Sequence, residues 1–236
     1  MLSRLAAPVH PFFLIAKVKS AEATYPNFLF SPSSSGKFGV SGSRRMKKGK
    51  IFIISGPSGS GKTTLYKKLL ESPALRSKLI KSISITTRAP RSNERPGRDY
   101  IFVSLKMFKH KQEAGHFLES QKVFDHFYGT PAKGVRDLLK NGKNVLLCID
   151  VKGAKVVKRH FPEAVTIFIK AASLDILKKR LAERGSEDEP TIRLRLQIAQ
   201  EELRQADSYD HIVINDNLTR AYENLQKIIS QELANN

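Results

Sequence analysis

A run of eight residues has the composition of a phosphate-binding loop. Residues 56–63 match the pattern G-x-x-x-x-G-K-[ST]. In such a loop the backbone N–H groups turn inward around phosphates, the lysine spans the β- and γ-phosphates, and the hydroxyl binds Mg²⁺ together with nucleotide oxygens and water. Thr63 is therefore the predicted metal ligand. The full set of predicted ATP-binding residues is Gly56, Pro57, Ser58, Gly59, Ser60, Gly61, Lys62 and Thr63.

This loop works only between a strand and a helix, and the flanking residues predict both. The β-branched apolar run from Ile51 to Ser55 is typical of a short buried strand, and Leu65 and Leu69 have helical spacing after the loop. The guanine-reading N-K-x-D of GTPases and the H-R-D segment of protein kinases are both absent from the sequence. An ATPase or a small-molecule kinase therefore remains.

A second basic segment could bind another anion. Arg88 and Arg91 lie three residues apart, and Glu94, Arg95 and Arg98 follow. The arginine guanidinium is suited to bidentate contacts with phosphate, so a second phosphate site is one interpretation. Taken alone, however, such a charge run is more often a solvated loop.

Composition limits the class of protein. The chain has 236 residues, a formal charge of +19 and 40% hydrophobic residues, which indicates a globular protein with a polyanionic partner. Cys148 is the only cysteine, so an internal disulfide is excluded. No apolar run approaches the roughly 18 to 20 residues of a membrane-spanning helix. Strands separated by helical segments predict a parallel α/β core.

Residues 1–45 differ from the rest of the chain. They carry six basic residues and one acid, are rich in Ser, Pro and Gly, and show no persistent apolar period, so we predict a disordered extension. Two interpretations remain open: an organellar transit peptide, for a plastid or mitochondrion, or an over-extended reading frame that begins physiologically at Met46. We predict a cytoplasmic location. The remaining 191 residues still carry +14.

From Ile51 to Leu233 the sequence resembles guanylate kinase, which transfers the γ-phosphate of ATP to GMP or dGMP. The resemblance rests on ISGPSGSGKTTL, SITTRAPR, GRDYIFV, FLE, YGT, IDVKGA, KKRLAERG and VIND, which occur in family order. It implies a core of the P-loop NTPase type with helices on both faces, spanning residues 46–236. It also implies a small GMP-binding insertion at about 81–132 and a short lid at about 184–195.

The resemblance also implies residue roles in the acceptor site. Four side chains would hold the GMP phosphate: Arg88, Arg91, Tyr100 and Tyr128. Four others would read the guanine: Ser84, Glu119, Thr130 and Asp150. The chemistry is consistent, because guanine presents two donors, N1–H and the exocyclic amine, which a carboxylate accepts and which adenine lacks in that arrangement.

The remaining implied residues are cations for catalysis. Lys62 would act with Arg180, Arg184 and Arg195, which converge on the phosphates as the lid closes. Phosphoryl transfer spreads charge over the equatorial oxygens, so positioned cations are what it needs. Gly185 would suit a hinge. An apolar strand from Ala164 to Ile169 and an amphipathic helix flanked by Arg193 and Arg195, ending near Ala206, would carry this region.

Two positions depart from the family pattern. Cys148 stands where many relatives have an Asp near Mg²⁺, and Lys152 replaces a frequent Gln after Asp150. The first departure puts metal affinity in doubt, and the second leaves the role of Lys152 open. Cys148 lies in an apolar strand, Val145 to Ile149, and is not expected to be a nucleophile.

Three other functions remain as rivals. A non-catalytic phosphopeptide-binding scaffold would be expected to lose phosphate-loop or GMP-site residues, which this chain keeps. A nucleic-acid-binding protein is supported only by charge, since the aromatic residues form no base-stacking motif. A kinase for another phosphorylated acceptor differs only in the base it reads. We expect ATP and GMP or dGMP as partners, and no nucleic acid, membrane or obligate protein partner.

Overall fold

The computed structural model describes residues 48–183 and 189–235. The strands are β1 (Ile51–Ser55), β2 (Leu79–Lys81), β3 (Ile85–Thr86), β4 (Ile101–Phe102), β5 (Phe117–Val123), β6 (His126–Pro131), β7 (Asn144–Cys148), β8 (Val165–Lys170) and β9 (His211–Ile214). The helices are α1 (Lys62–Glu71), α2 (Leu105–Glu113), α3 (Ala132–Lys140), α4 (Val151–His160), α5 (Leu174–Ala182), α6 (Glu189–Leu203) and α7 (Leu218–Ala234). A 3₁₀ turn spans Ala206–Ser208.

Five strands form one parallel sheet in the order β2-β7-β1-β8-β9. All five residues of the central strand β1 are buried, as expected for a strand covered on both faces. Phe52 and Ile54 pack into one apolar core with residues of α1 and α7. Ile51 and Ile53 point the other way, into a second core with residues of α3 and α4. The predicted α/β fold with helices on both faces is confirmed.

Residues 85–131 contribute a second, four-stranded sheet in the order β4-β3-β6-β5. β3 pairs with β4 in parallel and with β6 in antiparallel fashion, and β5 and β6 form a hairpin. Helix α2 packs on this hairpin through Phe108, which is fully buried and stacks on Phe117 with a centroid distance of 4.7 Å. The sheet therefore has its own aromatic support, separate from the two cores of the parallel sheet.

The topology brings two loops to one edge of the parallel sheet. β1 and β7 are neighbours with Ile54 opposite Cys148, so the segments that follow them leave the sheet side by side. One is the glycine loop of residues 56–61, and the other leads to Asp150, which caps helix α4. Ligands of open α/β sheets bind at this carboxyl edge.

Some element boundaries differ from the sequence expectations. Helix α6 contains both Arg193 and Arg195 instead of being flanked by them, and it ends at Leu203, because residues 206–208 tighten into the 3₁₀ turn. Strands β7 and β8 each differ by one residue from the predicted ranges. Arg184, Gly185 and the whole predicted extension at 1–45 lie outside the described residues, as do residues 46–47. Of the helices in the described ranges, none is long and apolar enough to cross a membrane.

Candidate active site

The glycine loop curves tightly between β1 and α1, as predicted. Gly56, Gly59 and Gly61 have φ angles of 131°, 85° and 92°, a region that favours glycine. At Gly56 a β-carbon would contact the carbonyl of Ile169 on β8, and at Gly61 it would contact the side-chain amide of Asn215. Both glycines are therefore required by backbone conformation and by close neighbours.

The lysine and threonine of the loop begin helix α1. The Lys62 ammonium donates to the carbonyl oxygens of Gly56 and Pro57, at 2.6 and 2.8 Å, so its charge lies over the loop. Thr63 is exposed and lies in the first turn of α1. The positive end of the helix adds to the same surface. Together these groups form a cradle that is suited to a polyphosphate.

Two of the three predicted arginines reach this loop from distant elements. Arg180 of α5 donates to the carbonyl oxygen of Gly59 at 3.4 Å and to that of Asn215 at 3.3 Å. Arg195 of α6 donates to the Ser58 hydroxyl at 3.3 Å, and its guanidinium lies 4.5 Å from the ring centroid of Phe124, in the β5–β6 turn. Arg195 therefore contacts the glycine loop and the second sheet at once.

The residues expected to hold the acceptor phosphate form a cluster on the second sheet. Arg88 donates from Nε to the Tyr128 hydroxyl at 3.2 Å, and Tyr128 meets Tyr100 edge-on with a centroid distance of 6.0 Å. Arg88 Nη2 also donates to both carboxylate oxygens of Glu94, at 2.8 and 2.9 Å. Arg91 is exposed and donates from its backbone N–H to Glu94. Glu94 thus orients the arginine segment.

A buried aspartate fixes the loop that carries Tyr100. Asp99 is 4% exposed and its carboxylate accepts from Lys67 of helix α1 at 3.0 Å, from Arg98, and from the backbone N–H of Arg95. Burial alone would raise the pKa of Asp99, but these donors outweigh it and hold the pKa well below the ordinary range. The loop is therefore fastened to the helix that follows the glycine loop.

The residues expected to read the base come together where the two sheets meet. Glu119 on β5 lies opposite Thr130 on β6, and the Thr130 hydroxyl donates to Glu119 Oε1 at 2.6 Å. Asp150 accepts from the backbone N–H of Gly153 at 2.6 Å. Carboxylate oxygens of both acids lie close to Gly153, where a β-carbon would be 2.7 Å from Glu119 and 3.2 Å from Asp150. Ser84, half-buried, immediately precedes β3.

Burial raises the pKa values of both acids. The pKa of Glu119 rises to about 7, chiefly because the side chain is buried and secondly through the charge of Asp150, while the bond from Thr130 opposes the change. The pKa of Asp150 is also raised by burial, against the lowering effect of its bond from Gly153. Carboxyl groups with pKa values raised by burial in a cleft are typical of functional sites, so this pair is a candidate for ligand binding.

The two departures from the family pattern lie at the same cleft. Cys148 is half-buried, and burial raises the pKa of its thiol while the nearby charges of Lys62 and Lys81 lower it. Lys152 is exposed, and its charge acts on Asp150. The thiol is therefore a neutral neighbour of two lysines.

Several residues of this cleft were not found by sequence reasoning. Asn215 donates from Nδ2 to the Ser60 carbonyl at 2.8 Å, and the VIND motif was a possible signal for it. Glu202 faces the cleft from α6, where burial raises its pKa to about 7 against the effect of Lys62. Glu94 and Asp99 lie in the basic segment, where their partners could not be read from spacing.

A phosphate cradle at the carboxyl edge of a parallel sheet, with a second cluster of arginine and tyrosine beside buried carboxylates, defines a P-loop protein of the nucleotide phosphotransferase class. The guanylate kinase family model matches residues 48–232. The chain therefore belongs to the guanylate kinase family.

Individual relatives agree with the family match. The chain is 46% identical over 187 residues to guanylate kinase of Caldanaerobacter subterraneus subsp. tengcongensis, covering 79% of this chain and 89% of that protein. It is 42% identical to guanylate kinase of Rickettsia prowazekii, covering 80% and 94%. The crystal structure of guanylate kinase from Anaplasma phagocytophilum matches with a TM-score of 0.66 and 31% identity, covering 79% of this chain and 87% of that one.

Proposed function

We propose that the protein transfers the γ-phosphoryl group of ATP to GMP or dGMP, releasing ADP and GDP or dGDP. One observation carries this proposal beyond family membership. Arg195 contacts Ser58 of the glycine loop and Phe124 in the β5–β6 turn, so it links the proposed donor loop to the sheet that carries the proposed acceptor cluster. Direct transfer needs both nucleotides in one cleft, since the two reacting oxygens must be in line.

The donor is held by the glycine loop. The backbone N–H groups of the glycine loop, to which Pro57 contributes none, and the Lys62 ammonium bind the β- and γ-phosphates. The helix N-terminus adds partial positive charge. Asn215 holds the Ser60 carbonyl from outside the loop at 2.8 Å, which keeps the cradle shaped before ATP arrives. A preformed loop lowers the ordering cost of binding.

The acceptor is selected by its base and held by its phosphate. Glu119 and Asp150 accept hydrogen bonds from the N1–H and exocyclic amine of guanine, with Thr130 and Ser84 as hydroxyl partners. Adenine presents an acceptor at N1, which would leave a buried carboxylate unpaired, and this costs about 1–3 kcal/mol or more. The 5′-phosphate lies against a cluster of four side chains: Arg88, Arg91, Tyr100 and Tyr128.

Transfer proceeds in line without a covalent enzyme intermediate. Lys62, Arg180 and Arg195 neutralise charge on the moving phosphoryl group, and Arg184 is proposed to join them from the lid. Positioned cations in a cleft that excludes water are worth more than the same charges in solvent. Closure also suppresses transfer to water.

The residues present fit Mg²⁺ as an ion carried by the nucleotide. The described residues contain no group of three or more His, Cys, Asp or Glu side chains arranged to hold a metal, and the Thr63 hydroxyl lies at the loop. Mg²⁺ commonly keeps several waters and binds through substrate phosphates with few protein ligands. Thr63 would hold it, and when bound the ion neutralises phosphate charge.

A coupled assay of ADP release tests the reaction. With purified full-length protein and ATP, we expect turnover with GMP and dGMP and little with AMP, CMP or UMP. Lys62→Ala should lower kcat by about 10²-fold or more, as loss of a positioned cation does, whereas the exposed control Lys78→Ala should not change it. Absence of GMP-dependent ADP release would refute the enzyme assignment, and comparable turnover of AMP would refute the guanine assignment.

We also propose a cytoplasmic location. Expression of the full chain with a C-terminal fluorescent tag tests it. Diffuse fluorescence supports the proposal, and fluorescence confined to a plastid or mitochondrion would support the transit-peptide interpretation of residues 1–45 instead.

A further inference from the structure

Lys81 lies at the carboxyl end of β2, next to Leu146 of β7 in the parallel sheet. Its half-buried side chain donates from Nζ to the backbone carbonyl of Asp99 at 3.0 Å. The same ammonium lies 4.9 Å from the ring centroid of Tyr66 and 5.8 Å from that of Tyr100. A charge on the core sheet is thus directed at the loop that carries a proposed phosphate-binding tyrosine.

This ammonium has no ion-pair partner among the described residues. Two other half-buried cations do have one: Arg88 is paired with Glu94, and Lys50 with Glu232. The carboxylate of Asp99 is occupied by Lys67 and by the guanidinium of Arg98, and Lys81 meets only the carbonyl of that residue. Burial accordingly lowers the pKa of Lys81.

A shielded ammonium without a carboxylate is expensive unless an anion completes it. Lys81 has three N–H donors and uses one on the Asp99 carbonyl. Within residues 48–183 and 189–235 the ammonium has no second hydrogen-bond acceptor, so two donors remain for a ligand. The cation–aromatic contacts hold the ammonium in position but accept only weakly.

The surroundings of Lys81 identify the anion. Tyr100 has the Arg88 guanidinium 5.6 Å from its ring centroid and the Lys81 ammonium 5.8 Å from it, so the two cations share this ring. On the other side, Lys62 and Lys81 both act on the thiol of Cys148. Lys81 thus lies between the phosphate loop and the proposed acceptor phosphate cluster. Because the side chain at 148 is a neutral thiol and not a carboxylate, it supplies no negative charge to Lys81.

We propose that Lys81 is a further binding residue for the phosphate group of the acceptor nucleotide. This inference rests on the proposed function, because it assigns Lys81 to the GMP phosphate. The ammonium donates to an acceptor phosphate oxygen while Arg88 holds the opposite part of the same group. It adds positive charge on the side from which the γ-phosphoryl group arrives, where two polyanions must approach each other.

The alternative is that Lys81 is only a structural link between β2 and the Asp99 loop. Direct binding of GMP and of guanosine, without ATP, distinguishes the two roles. If Lys81 contacts the phosphate, its replacement should weaken the binding of GMP but not of guanosine, because guanosine has the same base and sugar without the phosphate. A structural link would affect both ligands or neither.

The variant Lys81→Met keeps the length of the side chain and removes its charge and hydrogen-bond donors. The matched control is Lys78→Met, because Lys78 is an exposed lysine three residues away. In full-length protein we expect Lys81→Met to weaken GMP binding by about 10- to 100-fold, the usual effect of losing a charged hydrogen bond. Guanosine binding and the KM for ATP should stay within twofold of wild type, and Lys78→Met should match wild type throughout.

Equal weakening of GMP and guanosine, or unchanged GMP affinity, would overturn the role of Lys81. If Lys81→Met does not fold, as judged by urea unfolding, Lys81→Gln serves instead, because its amide can still donate to the Asp99 carbonyl. If wild-type protein releases ADP in a GMP-dependent reaction and the Lys81 variant binds GMP as tightly as wild type, this inference alone is refuted. Wild-type protein that neither binds GMP nor turns it over would refute the proposed function as well.

Discussion

Glu119 should destabilise the fold at neutral pH, and Glu119→Gln should remove that penalty. The side chain is 6% exposed, and burial with the nearby charge of Asp150 raises its pKa from 4.5 to about 7. The native state therefore binds a proton more tightly than the unfolded chain does. Stability from this group is fully present below pH 4.5 and is lost as pH rises to about 7.

The size of the effect follows from the pKa change. One pKa unit corresponds to about 1.4 kcal/mol, so a rise from 4.5 to about 7 gives a penalty of about 3 kcal/mol above pH 7. Glutamine has the same shape, stays neutral, and keeps a carbonyl oxygen for the Thr130 hydroxyl. Relative to wild type, Glu119→Gln should therefore gain about 1.4 kcal/mol for each pH unit between about 5 and 7.

Urea unfolding of both proteins from pH 5 to pH 8 measures this difference. The exposed control Glu223→Gln on α7 should show no such trend. Titrating groups that do not interact with Glu119 cancel in the comparison. A difference between wild type and Glu119→Gln that does not change with pH would refute the reasoning. In the same variant the KM for GMP should rise at least tenfold while that for ATP changes little, because the base loses its charged acceptor.

Three further predictions follow from single contacts. Gly61→Ala should raise the KM for ATP and lower stability by about 1–2 kcal/mol. The control Gly115→Ala should have a smaller effect, because Gly115 has a similar positive φ of 68° but no atom within 4 Å of the added carbon. Equal effects of the two substitutions on ATP kinetics and urea unfolding would contradict the Asn215 contact. Asp99→Asn should lower stability at pH 7 by about 1–3 kcal/mol. Because the pKa of Asp99 is depressed in the fold, this loss should shrink as pH falls below about 4. Asp137→Asn, whose native side chain is 49% exposed, is the control, and an equal loss in both would contradict the role of burial. Burial raises the pKa of the Cys148 thiol. The thiol should therefore react slowly with iodoacetamide at pH 8 in the native state and rapidly in urea. Mass spectrometry measures both rates, and equal rates would contradict the burial of the thiol.

The local features of the donor site could be predicted from sequence. Strand β1, the glycine loop and the start of α1 are adjacent in the chain, and their chemistry depends on neighbours within eight residues. Strands β7 and β8 were predicted to within one residue because parallel strands buried on both faces read as continuous apolar runs. The assignment of the acceptor residues came only through the family resemblance.

Long-range partners could not be predicted in this way. The amide of Asn215 meets the Ser60 carbonyl across 155 positions, and Arg195 meets Ser58 across 137. Lys81 looked like one basic residue among 41 Lys and Arg. Its environment became informative only once β2 placed it beside Tyr66, Tyr100 and a neutral thiol. Spacing reports which residues share an element, and it does not report which charges lack a partner.

The proposed acceptor site lies across the junction between the two sheets, and this has a consequence for specificity. The two acids that we propose to read the base come from both sides, Glu119 from the second sheet and Asp150 from the loop after β7. Both approach Gly153 on α4. The loop beside the proposed phosphate cluster is also connected to the core: the Asp99 carboxylate binds Lys67 of α1, and the Asp99 carbonyl accepts from Lys81 of β2. In the proposed complex, base and phosphate would therefore each be held by one group from the core and one from the second sheet. A shift of one sheet against the other would weaken both contacts together, so substitutions along this junction should change the KM for GMP more than the KM for ATP.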